Sequence, residues 1–274
     1  MARPRKETPV SNMPAGGNVT MHNTLVSASH GLNLGEKRLV AMAVAKLSPK
    51  AAALPGKPIK ISAVDFAEQY GVDTDTAYEQ LRDAQENLFQ RYITHIEHFG
   101  ANGQRVMVSK MRWVSSIHYE KGAGEVSLAF APEITQFLVQ LKKHFTSYQL
   151  SKAAALRSTY SWRLFENLER FRETGVWEVD MDRFHTIMET PKSYRRNFND
   201  ARRFVIDPAI SELAAKTNIT AEVEPIRRGR KIARLRFTFE NASQMNLPPI
   251  PRPQFSEMRT CPRGFDEASS QESA

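Results

Sequence analysis

A single cysteine, Cys261, in 274 residues leaves no disulfide framework and no all-cysteine metal site, and fits a reducing, cytosolic setting. No apolar run nears the roughly 20 residues that cross a bilayer. The longest, Leu39 to Ala45, is seven residues held between Arg38 and Lys46. The opening MARPRKETPVSN is basic but has no apolar segment behind it, so no secretory signal is expected. Both GxxxxGK[ST] and GxGxxG are missing, which argues against an ATPase. His95-Ile96-Glu97-His98 is a poor chelator on a strand, because 95 and 97 share one face while 98 points away. No metal and no cofactor are expected. Without a metal site or a basic cluster for strand transfer, Tyr160 and Tyr194 read as core residues. No catalytic residue is assigned, and a binding protein is expected, not an enzyme.

What the chain does have is positive charge. Lys and Arg number 38 against 30 Asp and Glu, a formal +8, which points to a polyanionic partner. Residues 1–30 hold Pro4, Pro9, Pro14, Gly16 and Gly17 with no apolar period and read as a disordered arm. Residues 241–274 carry five prolines and end in DEASSQESA, and read as a disordered tail. The folded part, about 31–240, suits two domains of about 100 residues.

Two interior segments resemble each other. In 59–93 and 177–210, Phe66 matches Phe184. With one gap in the turn, Ala77, Leu81, Ala84, Leu88 and Phe89 fall on Tyr194, Phe198, Ala201, Val205 and Ile206. Each copy reads as strand, short helix, turn and longer helix. Ser62-x-x-Asp65 forms a capping pattern and Gly71 a stop; in the second copy Pro191 ends the short helix and Ser193 opens the next. A helix precedes each copy, Leu34–Leu47 and Tyr160–Arg172, and strands follow. Helix, helix-turn-helix and hairpin make a winged helix. The expected fold is α+β with two tandem winged helices, at 31–150 and 151–240. The joint is placed in the amphipathic stretch Pro132–Ser158. In the first copy the strands Ile93–Phe99, Arg105–His118 and Glu125–Phe130 have no assignable order.

The charge concentrates in the second copy. Tyr194, Phe198, Ala201 and Val205 form one predicted buried stripe, which leaves Arg195, Arg196, Asn199, Arg202 and Arg203 on the opposite face. Arginine and asparagine pair with guanine and adenine edges in the major groove. The following hairpin carries Arg227, Arg228, Arg230 and Lys231 near its tip, and residues 226–239 contain no acid before Glu240. A basic wing beside a basic helix is suited to double-stranded DNA. In the first copy that helix face has little net charge. Thr76, Tyr78 and Arg82, with Lys110 and Arg112 on its strands, are expected to contribute secondary contacts.

Tyr160-Ser161-Trp162-Arg163-Leu164-Phe165-Glu166-Asn167-Leu168 resembles the opening helix of the C-terminal domain in iteron-plasmid replication initiators. Ser193 to Phe198 and Val205-Ile206-Asp207-Pro208-Ala209-Ile210 resemble that family's recognition helix and the Asp-Pro start after it, and Asn33 to Leu47 resembles the first N-terminal helix. The resemblance implies a monomer that binds directly repeated origin sequences, opens the origin with a host initiator ATPase and loads the replicative helicase. It also implies a homodimer through the N-terminal domain that represses its own promoter, in the bacterial cytoplasm and away from membranes. A transcriptional repressor without a replication role, and a nicking initiator working through a tyrosine, stand as alternatives.

Overall fold

The first described segment is a strand where an arm was expected. The computed structural model describes residues 17–47, 56–99, 105–120 and 122–241. In it β1 (Asn18–His22) runs antiparallel to residues 145–149, with Val19 opposite Tyr148 and Met21 opposite Thr146. Val19 and Met21 are buried, and so are Leu25, Val26 and Ala28 just after them. The expected arm at 1–30 is thus corrected over residues 17–30. Two alternating apolar residues are too short a local signal for a strand, and the partner that makes them one lies far along the chain. Residues 1–16 of the expected arm and 242–274 of the expected tail lie outside the described residues.

After α1 (Asn23–Val26) comes α2 (Leu34–Lys46), opened by a full capping box: Asn33 Oδ1 accepts from the Glu36 N–H, and Glu36 Oε2 from the Asn33 N–H. Its residues from Glu36 to Val44 are all buried, so it is an internal strut. Then β2 (Ile59–Ser62), α3 (Ala63–Tyr70) and α4 (Thr74–Leu88) make the expected helix-turn-helix. Ser62 caps α3, Gly71 ends it at φ 57, and Asp73 caps α4.

The strands that had no readable order divide into two sheets. Among the described residues β3 (Tyr92–Phe99) and β4 (Arg105–Arg112) pair as strands only with each other, while β5 (Val114–Glu120) pairs with β6 (Glu125–Phe130), which also pairs with β2. The run expected as one strand from Arg105 to His118 breaks at Trp113, whose ring is buried, and the ladder restarts on a new partner at Val114. The wing of the first domain is β5–β6, and β3–β4 is an additional hairpin. The expected joint is also divided, into α5 (Pro132–Thr135), β7 (Phe145–Gln149) and α6 (Leu150–Ala154). Gln140 and His144, both at positive φ, turn the chain between them.

Next comes α7 (Thr159–Arg170), buried from Ser161 to Glu169. The chain continues through β8 (Val176–Asp180) and α8 (Met181–Ile187). Two short helices follow, α9 (Lys192–Arg195) and α10 (Phe198–Ala201), then a π-helical turn at Arg202–Ile206 and α11 (Asp207–Thr217). A three-stranded sheet closes the domain with β9 (Ile219–Arg228) and β10 (Lys231–Asn241), in the order β8-β10-β9. Trp177 and Phe184 both stack on Phe237 under this sheet. The expected division at 150/151 falls at the first residue of α6. The repeat equivalence holds where it matters for packing: Phe66 and Phe184, Ala84 and Ala201, and Leu88 and Val205 are buried. It fails in burial at three pairs: buried Ala77 and Leu81 fall on half-buried Tyr194 and Phe198, and exposed Phe89 falls on buried Ile206.

Candidate nucleic-acid interface

The expected recognition helix is not one helix. It stops at Arg195 and restarts after Asn197, whose side chain accepts from the Asn199 N–H as a new N-cap. Tyr194 and Phe198 are only half-buried, so the predicted four-residue stripe shrinks to Ala201 and Val205. Arg195 is turned back on its own domain: Nε donates to Thr190 O at 2.7 Å. Arg195 is nonetheless exposed as expected, and this bond ties it to the turn before the segment. Arg196, Asn199, Arg202 and Arg203 are exposed as expected, with Arg202 Nε 3.3 Å from Asp207 Oδ1.

The π-helical turn explains how the basic residues gather. Ala201, Val205, Ala209, Leu213 and Thr217 are buried at a spacing of four. A regular helix of 3.6 residues per turn would rotate that stripe away from the core by about 40° at each step. One wide turn takes up the extra residue. As a result Arg202, Arg203 and Phe204 stand exposed in succession between buried Ala201 and Val205. Phe204 was not foreseen: its ring stacks on Tyr194 at 4.9 Å between centroids, with the Arg203 guanidinium 5.3 Å from it. The spacing of four was the signal in the sequence that marked this turn.

The β9–β10 hairpin carries Arg227, Arg228, Arg230 and Lys231 at its exposed end, around Gly229 at φ 62. Further down the same strand the arginines are paired. Arg234 meets Asp180 at 2.9 Å, and Arg236 meets Glu178 at 2.6 Å and Glu224 at 3.5 Å. The acids come from β8 and β9, so the sheet neutralises the base of the wing and leaves the charge at its tip.

In the first domain the expected contacts are spread apart. Thr76 is occupied by the helix cap, its hydroxyl donating to Asp73 Oδ2 at 2.6 Å. Tyr78 lies against the turn of the wing, its ring packed on Gly124 where there is no room for a Cβ. Arg82 is exposed and 3.7 Å from Asp83. Lys110 and Arg112 sit on β4 of the additional hairpin, not on the wing. Lys110 lies over the Tyr92 ring and Arg112 over Phe89, with Arg112 also donating to the Phe89 carbonyl. Both lie on a strand as expected, and that strand belongs to the additional hairpin.

Helix-turn-helix, flanking helix and wing occur twice, which defines a tandem winged-helix protein. Residues 18–169 match the family described as "Initiator Replication protein, WH1", and residues 180–239 match "Initiator Rep protein, WH2". The chain belongs to this replication initiator family. A protein of Escherichia coli described as an uncharacterized 27.6 kDa protein is 22% identical over 213 residues, covering 74% of this chain and 87% of that one. A probable replication protein rep of Bifidobacterium longum (strain NCC 2705) is 26% identical over 102 residues, 37% of this chain and 34% of that one. Among solved structures, the Pi initiator protein in complex with iteron DNA aligns with a TM-score of 0.68 at 23% identity, covering 83% of this chain and 98% of that one. No helix among the described residues is long and apolar enough to cross a membrane.

Proposed function

We propose that this initiator acts by gripping double-stranded DNA at directly repeated plasmid origin sequences, as a monomer, with both winged helices on one duplex. The observation that carries this reading is that the row Arg196, Asn199, Arg202 and Arg203 and the wing-tip residues Arg227, Arg228, Arg230 and Lys231 are all exposed. Side chains of the first set suit base edges, and those of the second suit phosphates. The shared fold of an initiator solved with iteron DNA supports the same choice of ligand. Thr76, Tyr78 and Arg82 supply weaker contacts from the first domain. The protein works by binding and not by catalysis, in the cytoplasm, with a host initiator ATPase and the replicative helicase as later partners.

The homodimer of the reading forms through β3–β4. Strand β4 pairs with nothing on its outer edge among the described residues, and Val106, Met107 and Val108 are exposed in a row. An open apolar edge of this kind is a template for another chain, and a second copy presents the same edge. The dimer is the form that represses the protein's own promoter.

Selection of bound duplexes from a random library at about 150 mM salt, the physiological range, tests the reading. An asymmetric word of about 20 bp, two recognition elements about one helical turn apart, is expected. It should recur as direct repeats in the parent plasmid. A palindrome alone would favour a repressor, and the absence of any enriched word would overturn sequence-specific reading. Relaxed circles from a supercoiled substrate with divalent metal would overturn the non-enzymatic reading.

A further inference from the structure

Glu189 lies in the turn between α8 and α9, at φ 50, a backbone region that side chains larger than glycine seldom occupy. Its carboxylate reaches out of its own domain. Oε1 accepts from Ser29 Oγ at 2.8 Å, from the Gly31 N–H at 2.6 Å and from the His30 N–H, all in the loop between α1 and α2 of the first domain. Oε2 forms an ion pair with Arg163 Nη2 of α7 at 2.7 Å. Burial pushes the Glu189 carboxyl up; Arg163 and the three donors outweigh it and hold the group below its ordinary 4.5, so it is charged at neutral pH.

The contacts continue on both sides of this carboxylate. In the first domain, Ser29 O accepts from the Thr94 N–H of β3 at 3.0 Å, which ties the loop to the additional hairpin. In the second, the neighbouring residue Thr190 is buried and its carbonyl accepts from Arg195, one turn before the basic row begins. The ion pair of Lys37 with Glu166 joins α2 to α7. Glu189 therefore connects the first domain directly to the turn that feeds the recognition segment.

A bipartite site demands a fixed offset between its two readers. One inserted base pair turns the second word by about 35° around the axis, given about 10–10.5 bp per turn. A protein reads that offset only if the turn carrying one reader is held against the domain carrying the other. We propose that Glu189 is the positioning residue that sets the spacing at which the two winged helices read one duplex. This rests on the proposed two-domain binding.

The test uses the full chain, the duplex word recovered by selection, and the same word with one, two or three base pairs inserted between its halves. For the wild type, one inserted base pair should cost roughly 5–150-fold in affinity, the scale of a single mismatched pair. Glu189→Gln, which keeps the shape and removes the charge, should flatten that dependence while half-word duplexes bind as to the wild type. Ser29→Ala, made on the opposite side of the contact, should flatten it in part. It stands in for Glu189→Gln should that variant lose its cooperative unfolding transition. Retention of the full wild-type spacing dependence in the folded variants would overturn the positioning role. Wild-type binding that ignores spacing altogether would instead overturn the two-domain reading on which the role rests.

Discussion

The ammonium of Lys37 on α2 donates to Glu166 Oε2 on α7 at 2.8 Å, and both side chains are almost wholly buried. The other oxygen of Glu166 accepts from the Tyr148 hydroxyl, which in turn accepts from Trp162 Nε1. One charge pair, its carboxylate bonded through both oxygens, thus joins α2 to α7. Burial pushes the Lys37 ammonium down, and the Glu166 carboxylate opposes it.

Removing one member leaves the other charged and buried without a partner. Lys37→Met or Glu166→Leu alone should cost about 3–5 kcal/mol, while the double variant should recover most of that loss. Urea unfolding of the four proteins as a double-mutant cycle measures it. Additive costs would show that the pair is not coupled.

On DNA, Arg203→Ala should relax base preference at a single position and cost about 1–3 kcal/mol on the best word. Arg230→Ala, at the wing tip, should weaken all sequences alike and lower the salt slope by about 1. Titrations of matched and mismatched duplexes across a salt series separate the two. Arg195→Ala should act differently from both, by loosening the turn at Thr190, and should lower stability as well as affinity.

At the additional hairpin, Val108→Asp places a carboxylate in the proposed paired edge. Burying a carboxylate without a partner costs more than the roughly 1–3 kcal/mol of a neutral polar group, so dimerisation should weaken by at least about 5–150-fold. Sedimentation equilibrium reads the change. Monomer binding to a single word should be unaltered, since β4 bears none of the basic row.

His30 is buried edge-on against Trp113, with Nε2 donating to Leu25 O. Burial, and then the nearby Arg163 and Lys37, hold its pKa well below 6.5. The unfolded chain therefore takes up a proton that the folded one refuses. Stability should be independent of this group above pH 6.5 and fall below it, by up to about 1.4 kcal/mol per pH unit. Burial also lowers His22 and His185, which add to the slope. Thermal unfolding from pH 7.5 to 5 should show a shallower decline in His30→Gln than in the wild type.

The helix-turn-helix pair and the second wing were legible because their signals are local. Ser62, Gly71 and Asp73 punctuate the first copy, and Gly229 sits between two alternating runs in the second. The strand at Val19 and Met21 was not legible, since its hydrogen bonds come from residues 145–149. The break at Trp113 was hidden because apolar alternation runs through it, and only the change of partner strand reveals it. In the candidate interface, residue type pointed to Arg195, Arg196, Asn199, Arg202 and Arg203, all of which are exposed. It could not show that Arg195 also bonds the Thr190 carbonyl, a partner that exists only once the turn has formed. Glu189 gave no signal at all, because its donors lie 158 to 160 positions away.

The pairing of β1 with β7 bears on synthesis. Thr20 on β1 bonds Ser147 on β7 across 127 positions of chain. At about 5–20 residues per second, translation needs roughly 6–25 s to supply that partner. For this interval Val19 and Met21 have no strand to lie on, although α2, α3 and α4 are already made. The first domain is therefore completed late, when the ribosome is close to beginning the second, and a chain released before residue 145 lacks the strand on which its own beginning must close.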